Sequence, residues 1–192
     1  MIKKIILSTF FFGMFISPFA QQMKESTVLA GGKPVHIVGT LPAKGSVAPA
    51  FSLTDNSMKQ QSLSDYKGKY VLLNIFPSVD TGVCSASVRH FNEDAAKLPN
   101  TTVLCISKDL PFAQKRFCGA EGIKNVVMLS DFRSDFGDKY GIKIADSAMK
   151  GLLSRAVVVI NPEGKIIYEE QVSDIANEPN YDAAIAAING KS

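Results

Sequence analysis

A cysteine at the end of Pro77-Ser78-Val79-Asp80-Thr81-Gly82-Val83-Cys84 carries the strongest chemical signal in this chain. The apolar run Val71-Leu72-Leu73-Asn74-Ile75-Phe76 leads into that octet, and an amphipathic helical pattern leads out of it. Cys84 therefore stands at a strand-to-helix junction, in the first turn of the helix. Unpaired backbone N–H groups and the positive end of the helix dipole favour a thiolate there, the nucleophilic form of sulfur. Asp80 would oppose ionisation if it faced the sulfur, and it is expected to face away. A buried structural cysteine is the competing interpretation, because free cysteine is among the most buried residue types. On local grounds alone, Thr81 reads as a helix cap and Pro77 as a strand terminator. Arg155, just ahead of an apolar strand, reads as a solvated edge charge. Cys105 sits inside Val103-Leu104-Cys105-Ile106, where it should be buried and inert, and Cys118 follows Cys84 by 34 residues.

These residues need a scaffold, and hydrophobic periodicity supplies one. Thr27–Leu29 and Val35–Val38 flank Ala30-Gly31-Gly32-Lys33-Pro34, a hairpin pattern, and residues 39–49 are loop. Phe51–Thr54 alternates as a short strand, and a polar stretch then leads to the turn at residues 66–69. Tyr70–Phe76 has almost no polar interruption, as expected of a central strand covered on both faces. Val88, Phe91, Ala95 and Leu98 recur at helical spacing after Cys84, until Pro99-Asn100 stops the pattern. Thr102–Ile106 and Val126–Leu129 read as strands, and Pro111–Phe117 and Phe136–Tyr140 as short helices. Cys118 falls in the first of these helices or at its end. Ala156–Ile160 and Ile166–Glu170 flank the turn Asn161-Pro162-Glu163-Gly164-Lys165, and Tyr181–Ile188 closes the chain as a helix. This order predicts an α/β fold: a central mixed sheet flanked by helices on both faces, with an added N-terminal β-hairpin. A thioredoxin-like core satisfies it. A small doubly wound nucleotide-binding domain does not, because no Gly-x-Gly-x-x-Gly follows any strand.

Composition narrows the function further. With 192 residues and 46% hydrophobic content, the chain suits one compact domain. Its lysines and arginines are scattered, so no nucleic-acid stripe is present. Three cysteines are too few for a disulfide scaffold and too dispersed for a zinc knuckle. The first twenty residues stand apart. Lys3 and Lys4 precede a mostly apolar run from Ile5 to Ile16, and Ser17-Pro18-Phe19-Ala20 offers a cleavage region before Gln21. This predicts a signal peptide over residues 1–20 and an exported, periplasmic domain over 21–192, the alternative being a cytoplasmic protein whose N-terminal segment is not a functional signal. Pro18 matches the small-residue preference at the cleavage site poorly. No cysteine follows the apolar run, which argues against a lipid anchor. Cleavage after Ala20 removes Lys3 and Lys4 and leaves 19 basic against 18 acidic residues, with no obvious electrostatic partner.

Pro77-x-x-x-Thr81-x-x-Cys84 resembles the active-site signature of the peroxiredoxins. The wider stretch Asn74–Cys84 is similar to their bacterial thiol peroxidase branch, the atypical two-cysteine type. The resemblance continues through Leu104–Ser107, Asp109–Gln114, Arg116–Gly122 and Arg155–Ile160, and so covers essentially everything after the signal. It implies that Cys84 is the peroxidatic nucleophile, oxidised to a sulfenic acid. Thr81 would accept from the peroxide or thiol and donate onward to the thiolate, while Pro77 would shield the sulfur from water. Arg155 would lower the thiol pKa and hold the polarised oxygens as the O–O bond breaks. Cys118 would be the resolving thiol, forming an intrachain Cys84–Cys118 disulfide after local unfolding of both segments. A thioredoxin-like protein would reduce that disulfide. The resemblance also implies a hydroperoxide substrate, a homodimer, and neither cofactor nor metal. It implies no nucleic-acid partner, and no membrane partner once the signal is removed. Phe76, Val83 and Phe112 are the apolar residues expected to suit an alkyl tail.

Three other functions fit less well. A dithiol oxidoreductase wants Cys-x-x-Cys at the helix start, and position 81 is Thr. A metal-binding module fails because Cys105 is a core-strand residue and neither His36 nor His90 repeats at ligand spacing. A peroxide sensor without turnover would not need the full set of Pro77, Thr81, Cys84, Cys118 and Arg155.

Overall fold

The computed structural model describes residues 25–190, so the predicted signal peptide lies outside the described residues. The chain builds a seven-stranded mixed sheet and a smaller three-stranded one. At the centre of the larger sheet, β5 (Tyr70–Ile75) pairs in parallel with β6 (Thr101–Ser107) and antiparallel with β9 (Ala156–Ile160). Outward from β6 come β7 (Val127–Ser130), β3 (Ser52–Asp55) and β4 (Gln60–Ser62), while β10 (Ile166–Gln171) lies outside β9. The strand pattern follows from side-chain alternation. Val71, Leu73 and Ile75 enter one core with Leu104, Ile106 and Val158, whereas Leu72 and Phe76 enter the other with Val103, Val157 and Val159. Solvent-facing polar positions are therefore missing from β5, which reads as an apolar run interrupted only by the buried Asn74.

Three helices cover the second core. They are α1 (Gly82–Ala95), α2 (Pro111–Glu121) and α4 (Tyr181–Ile188). Val88 and Phe91 from α1, Phe117 from α2 and Ala184 from α4 all pack into it. The opposite face takes the one-turn α3 (Phe136–Lys139), a 3-10 turn at Leu63–Tyr66 and the aromatic cluster of Phe51, Phe136 and Tyr140. The predicted sheet with helices on both faces is what the chain adopts. The covering is unequal, with the longer helices gathered on one side.

The N-terminal hairpin joins β1 (Glu25–Ala30) to β2 (Lys33–Val38) through Gly31 and Gly32. Both glycines have positive φ, as a two-residue hairpin turn requires. A third strand, β8 (Lys143–Ile144), extends this small sheet and has no counterpart in the sequence reading. Two residues are too short to show a period. Where the hairpin joins the main body, a side chain at Gly141 would run into the backbone of Thr40.

The helix after β6 is longer than expected. Its predicted end at Phe117 gives way to eleven residues that run through Cys118 to Glu121. Gly119 does not stop it, because Gly122, left-handed at φ 67°, supplies the cap and Ile123 N–H donates to the Cys118 carbonyl. Conversely, α1 stops at Ala95, and Leu98 packs on the core from the turn that follows. The strand β4 and the 3-10 turn after it were also hidden, in the stretch that reads simply as polar.

Candidate active site

Strand β5 ends where Phe76 N–H donates to the Ile106 carbonyl, and the buried Pro77 then turns the chain out of the ladder. Thr81, in extended backbone conformation, is the N-cap of α1, and its carbonyl accepts from Ser85 N–H. Its side chain makes no capping bond. The hydroxyl donates instead to the Ser78 carbonyl at 3.1 Å, so it does not donate to Cys84 as the sequence reading expected. The oxygen keeps lone pairs for an incoming donor. Asp80 is exposed.

Cys84 is the third residue of α1 and 1% exposed. Arg155 Nη2 donates to its sulfur at 3.2 Å. This places Arg155 far from the solvated edge that its sequence position suggests: it too is 1% exposed and is the largest fully buried side chain. Arg155 Nε donates to the Ile175 carbonyl at 2.9 Å, while Nη1 has no protein partner. Burying a guanidinium costs several kcal/mol, about what loss of its hydration demands, unless an anion compensates it. The only acidic group it touches among the described residues is the Cys84 thiol. Sulfur, guanidinium and the start of α1 together form a site for concentrating negative charge on sulfur and oxygen.

A cavity of about 350 Å³ opens onto this pair, and Pro77, Thr81, Cys84 and Arg155 all line it. The rest of its wall is largely apolar, from Ala30, Gly31, Val83, Met149, Ile175 and Ala176. Of the three apolar residues expected here, only Val83 contributes. Phe76 is fully buried in the core, and Phe112 is 65% exposed on α2. Sequence reasoning missed the hairpin tip. Asp174 holds it in place, its two carboxylate oxygens accepting from Gly31 and Gly32 N–H at 2.9 Å each. No local signal could have shown this, because Asp174 and Gly31 lie on opposite sides of the main sheet's sequence.

No bond joins Cys118 to Cys84. Cys118 is half-buried, and both thiols are free. The two helices return from the same edge of the sheet, after parallel strands. Cys84 is the third residue of α1 and Cys118 the eighth of α2. Further down the same pair, Arg89 meets Glu121 at 2.9 Å, and Asn92 accepts from Lys124 and Asn125 N–H. A disulfide needs Cα atoms within about 7 Å, and here each cysteine is held in the hydrogen-bonded backbone of its own helix. Cys105 is fully buried, with Asn74 Nδ2 donating to its sulfur at 3.6 Å. Burial pushes its thiol up to about 12 and also raises that of Cys118.

Two outcomes are expected from this geometry. Arg155→Lys keeps the charge but loses the fork that bonds Ile175 and Cys84. Oxidation of Cys84 by peroxide should slow about 100-fold, by analogy with removal of a fixed donor to a reacting oxygen; stopped-flow kinetics with circular dichroism to check folding would measure it. The second concerns alkali. Cys105 and Cys118 ionise less readily folded than unfolded, so their contribution to stability is complete below about pH 9, the ordinary thiol value. It is lost as pH rises towards 12. The thermal midpoint should therefore hold to pH 9 and fall beyond it, and a flat profile to pH 11 would contradict the assignment.

A family model described as Redoxin matches residues 43–185. A thiol peroxidase of Mycobacterium tuberculosis is 59% identical over 157 residues, spanning 82% of this chain and 94% of that protein. A thiol peroxidase of Corynebacterium glutamicum is 55% identical over 158 residues, spanning 82% and 96%. The crystal structure of a peroxiredoxin-like protein from Aquifex aeolicus superposes with a TM-score of 0.82 and 38% identity, covering 86% of this chain and 97% of that one.

Proposed function

The chain belongs to the redoxin family, among its thiol peroxidases, and from that membership we propose that Cys84 is the sulfur that attacks the hydroperoxide. Thiol-dependent reduction of hydroperoxides is the activity of the enzyme. The observation that carries the residue assignment is the buried Arg155 guanidinium at 3.2 Å from the Cys84 sulfur, at the floor of the apolar cavity.

In this reading the Cys84 sulfur forms a bond to the terminal peroxide oxygen as the O–O bond breaks. The leaving oxygen takes a proton and departs as alcohol or water, and the sulfur becomes a sulfenic acid. Arg155 Nη2 and the unpartnered Nη1 hold the two oxygens while charge develops on them. The Thr81 oxygen accepts the hydrogen of the hydroperoxide, and the buried Pro77 keeps bulk water from the sulfur. Cys118 then attacks the oxidised sulfur. The S–S bond forms, the S–O bond breaks, and hydroxide leaves with the thiol proton as water. A thioredoxin-like dithiol returns both cysteines to thiols. The apolar wall supports hydroperoxides with hydrocarbon tails alongside hydrogen peroxide.

Leu110 and Phe112, exposed at the start of α2, support a homodimer with the active sites near the contact. The lysine pair and apolar run ahead of Gln21 support export to the periplasm.

The test treats reduced protein with one equivalent of hydroperoxide and maps the product by peptide mass spectrometry. A Cys84–Cys118 cross-link that thioredoxin reduces is expected, and oxidation confined to another cysteine overturns the assignment. On native protein, a mass starting near Gln21 is expected, and one starting at Met1 in the cytosol would refute export.

A further inference from the structure

The loop that delivers Thr81 and Cys84 is held by a carboxylate from the chain segment that begins α2. Ser78 Oγ donates to Asp109 Oδ1 at 2.7 Å. Val79 N–H and Ser107 Oγ both donate to Asp109 Oδ2 at 2.8 Å. Two residues later the chain enters α2, which carries Cys118. Ser107 Oγ in turn accepts from Gln114 Nε2, on the first turn of α2, at 3.1 Å, and the same nitrogen donates to the Leu129 carbonyl at 3.0 Å. Ser130 Oγ donates to the Asp109 carbonyl. A half-buried anion with three donors thus ties the loop before α1 to the start of α2. Hydrogen bonds to a charged acceptor are the strong ones.

Neither Asp109 nor the Ser78 hydroxyl touches the Cys84 sulfur, and the mechanism above leaves both groups unused. Yet Cys84 must be held still for attack, then set free to bond Cys118, which is held in a different helix. We propose that Asp109 is the positioning residue that keeps the Cys84 and Cys118 segments in the peroxide-reactive arrangement, and that breaking its bonds to Ser78 and Val79 releases them for disulfide formation. This rests on Cys118 being the resolving thiol.

The release step sets a branch point. The sulfenic acid either meets Cys118, forming the disulfide and water, or meets a second hydroperoxide first. In the second case the O–O bond breaks, one oxygen is added to sulfur to give sulfinic acid, and the alcohol or water leaves. A tighter clamp favours attack on the first peroxide and delays resolution. A looser clamp does the reverse.

The experiment uses the full chain, reduced and rapidly mixed with hydrogen peroxide, quenched by alkylation and read by mass spectrometry for sulfenic, disulfide and sulfinic forms. Asp109→Asn replaces one acceptor oxygen by a donor, so it cannot serve both loop donors and Ser107. It should slow the first oxidation and speed disulfide formation, each about tenfold, or about 1.4 kcal/mol, and should demand more peroxide for half-conversion to sulfinic acid. Ser78→Ala removes one bond to the carboxylate, together with the bond that Asp80 N–H donates to the same hydroxyl, and should move both rates in the same directions by about threefold. A ratio of resolution to oxidation unchanged in both variants overturns the role of Asp109, as does a parallel loss of both rates, the mark of mere destabilisation. If the unmodified protein forms no Cys84–Cys118 disulfide, the resolving role of Cys118 fails first, and this proposal falls with it.

Discussion

Cys84→Ser is expected to reduce hydroperoxide turnover to the rate at which the remaining thiols react by themselves, while leaving the fold intact. The substitution removes one property and little else. Serine is close to cysteine in size, and Arg155 can donate to its oxygen as it donates to sulfur at 3.2 Å. A hydroxyl, however, is a weak nucleophile at its ordinary pKa and has no base beside it here. The cavity offers a guanidinium, a threonine oxygen and a proline, none of which removes a hydroxyl proton. Cys105 cannot substitute, since it lies within β6 with a thiol pushed up to about 12. Cys118 is half-buried, its thiol is also raised, and it faces no guanidinium. Peroxide consumption in a thioredoxin-coupled assay, beside an unchanged thermal midpoint, is the measurement. Substantial residual turnover would place the attacking sulfur elsewhere.

Much of the architecture could be read because its signals are local. The nearly unbroken apolar run of β5 announces a strand with two covered faces, and Gly31-Gly32 announces a hairpin turn. Val88 and Phe91 mark the buried face of α1 at the spacing the sequence suggests. The hidden elements are those whose stability comes from neighbours. Two residues suffice for β8 only because Ile37 and Val38 are already in place to pair with it. The end of α2 depends on a left-handed Gly122 rather than on the glycine met first, Gly119.

The candidate site divides in the same way. Pro77, Thr81 and Cys84 lie within eight residues, so their meeting is a matter of one turn. Arg155 arrives from 71 residues away, and from sequence alone only the family resemblance placed it near the sulfur. The apolar wall was invisible for a further reason. Ala30, Met149 and Ile175 come from the end of β1 and two separate loops, and their side-chain types are as common in cores as in cavities. Asp109 lies within a quoted segment of the resemblance, but nothing in Asp109-Leu110-Pro111 indicates that its carboxylate turns back to Ser78 and Val79.

Cys118→Ser should separate the two halves of the cycle. The first half needs only Cys84 and its surroundings, and Cys118 lies on α2 and does not line the cavity. Oxidation of Cys84 should proceed at close to its usual rate and consume one equivalent of hydroperoxide. Recycling by thioredoxin should then fall to background. Thiol exchange requires a disulfide to attack, and the oxidised Cys84 has no other thiol able to supply one. Cys105 is fixed in the β5–β6–β7 ladder and remains protonated at neutral pH, so it can neither move to the sulfenic acid nor attack it. The sulfenic acid stays within a pocket where Cys84 is 1% exposed, screened from a protein reductant but open to a second small peroxide. Sulfinic acid should therefore accumulate at peroxide concentrations that leave the unmodified protein in its disulfide form. A burst of one equivalent, followed by a slow phase and a gain of two oxygens on the Cys84 peptide, is the expected record. A normal steady-state rate with thioredoxin would instead assign resolution to the reductant's own thiol, and local opening of α2 would then have no place in the cycle.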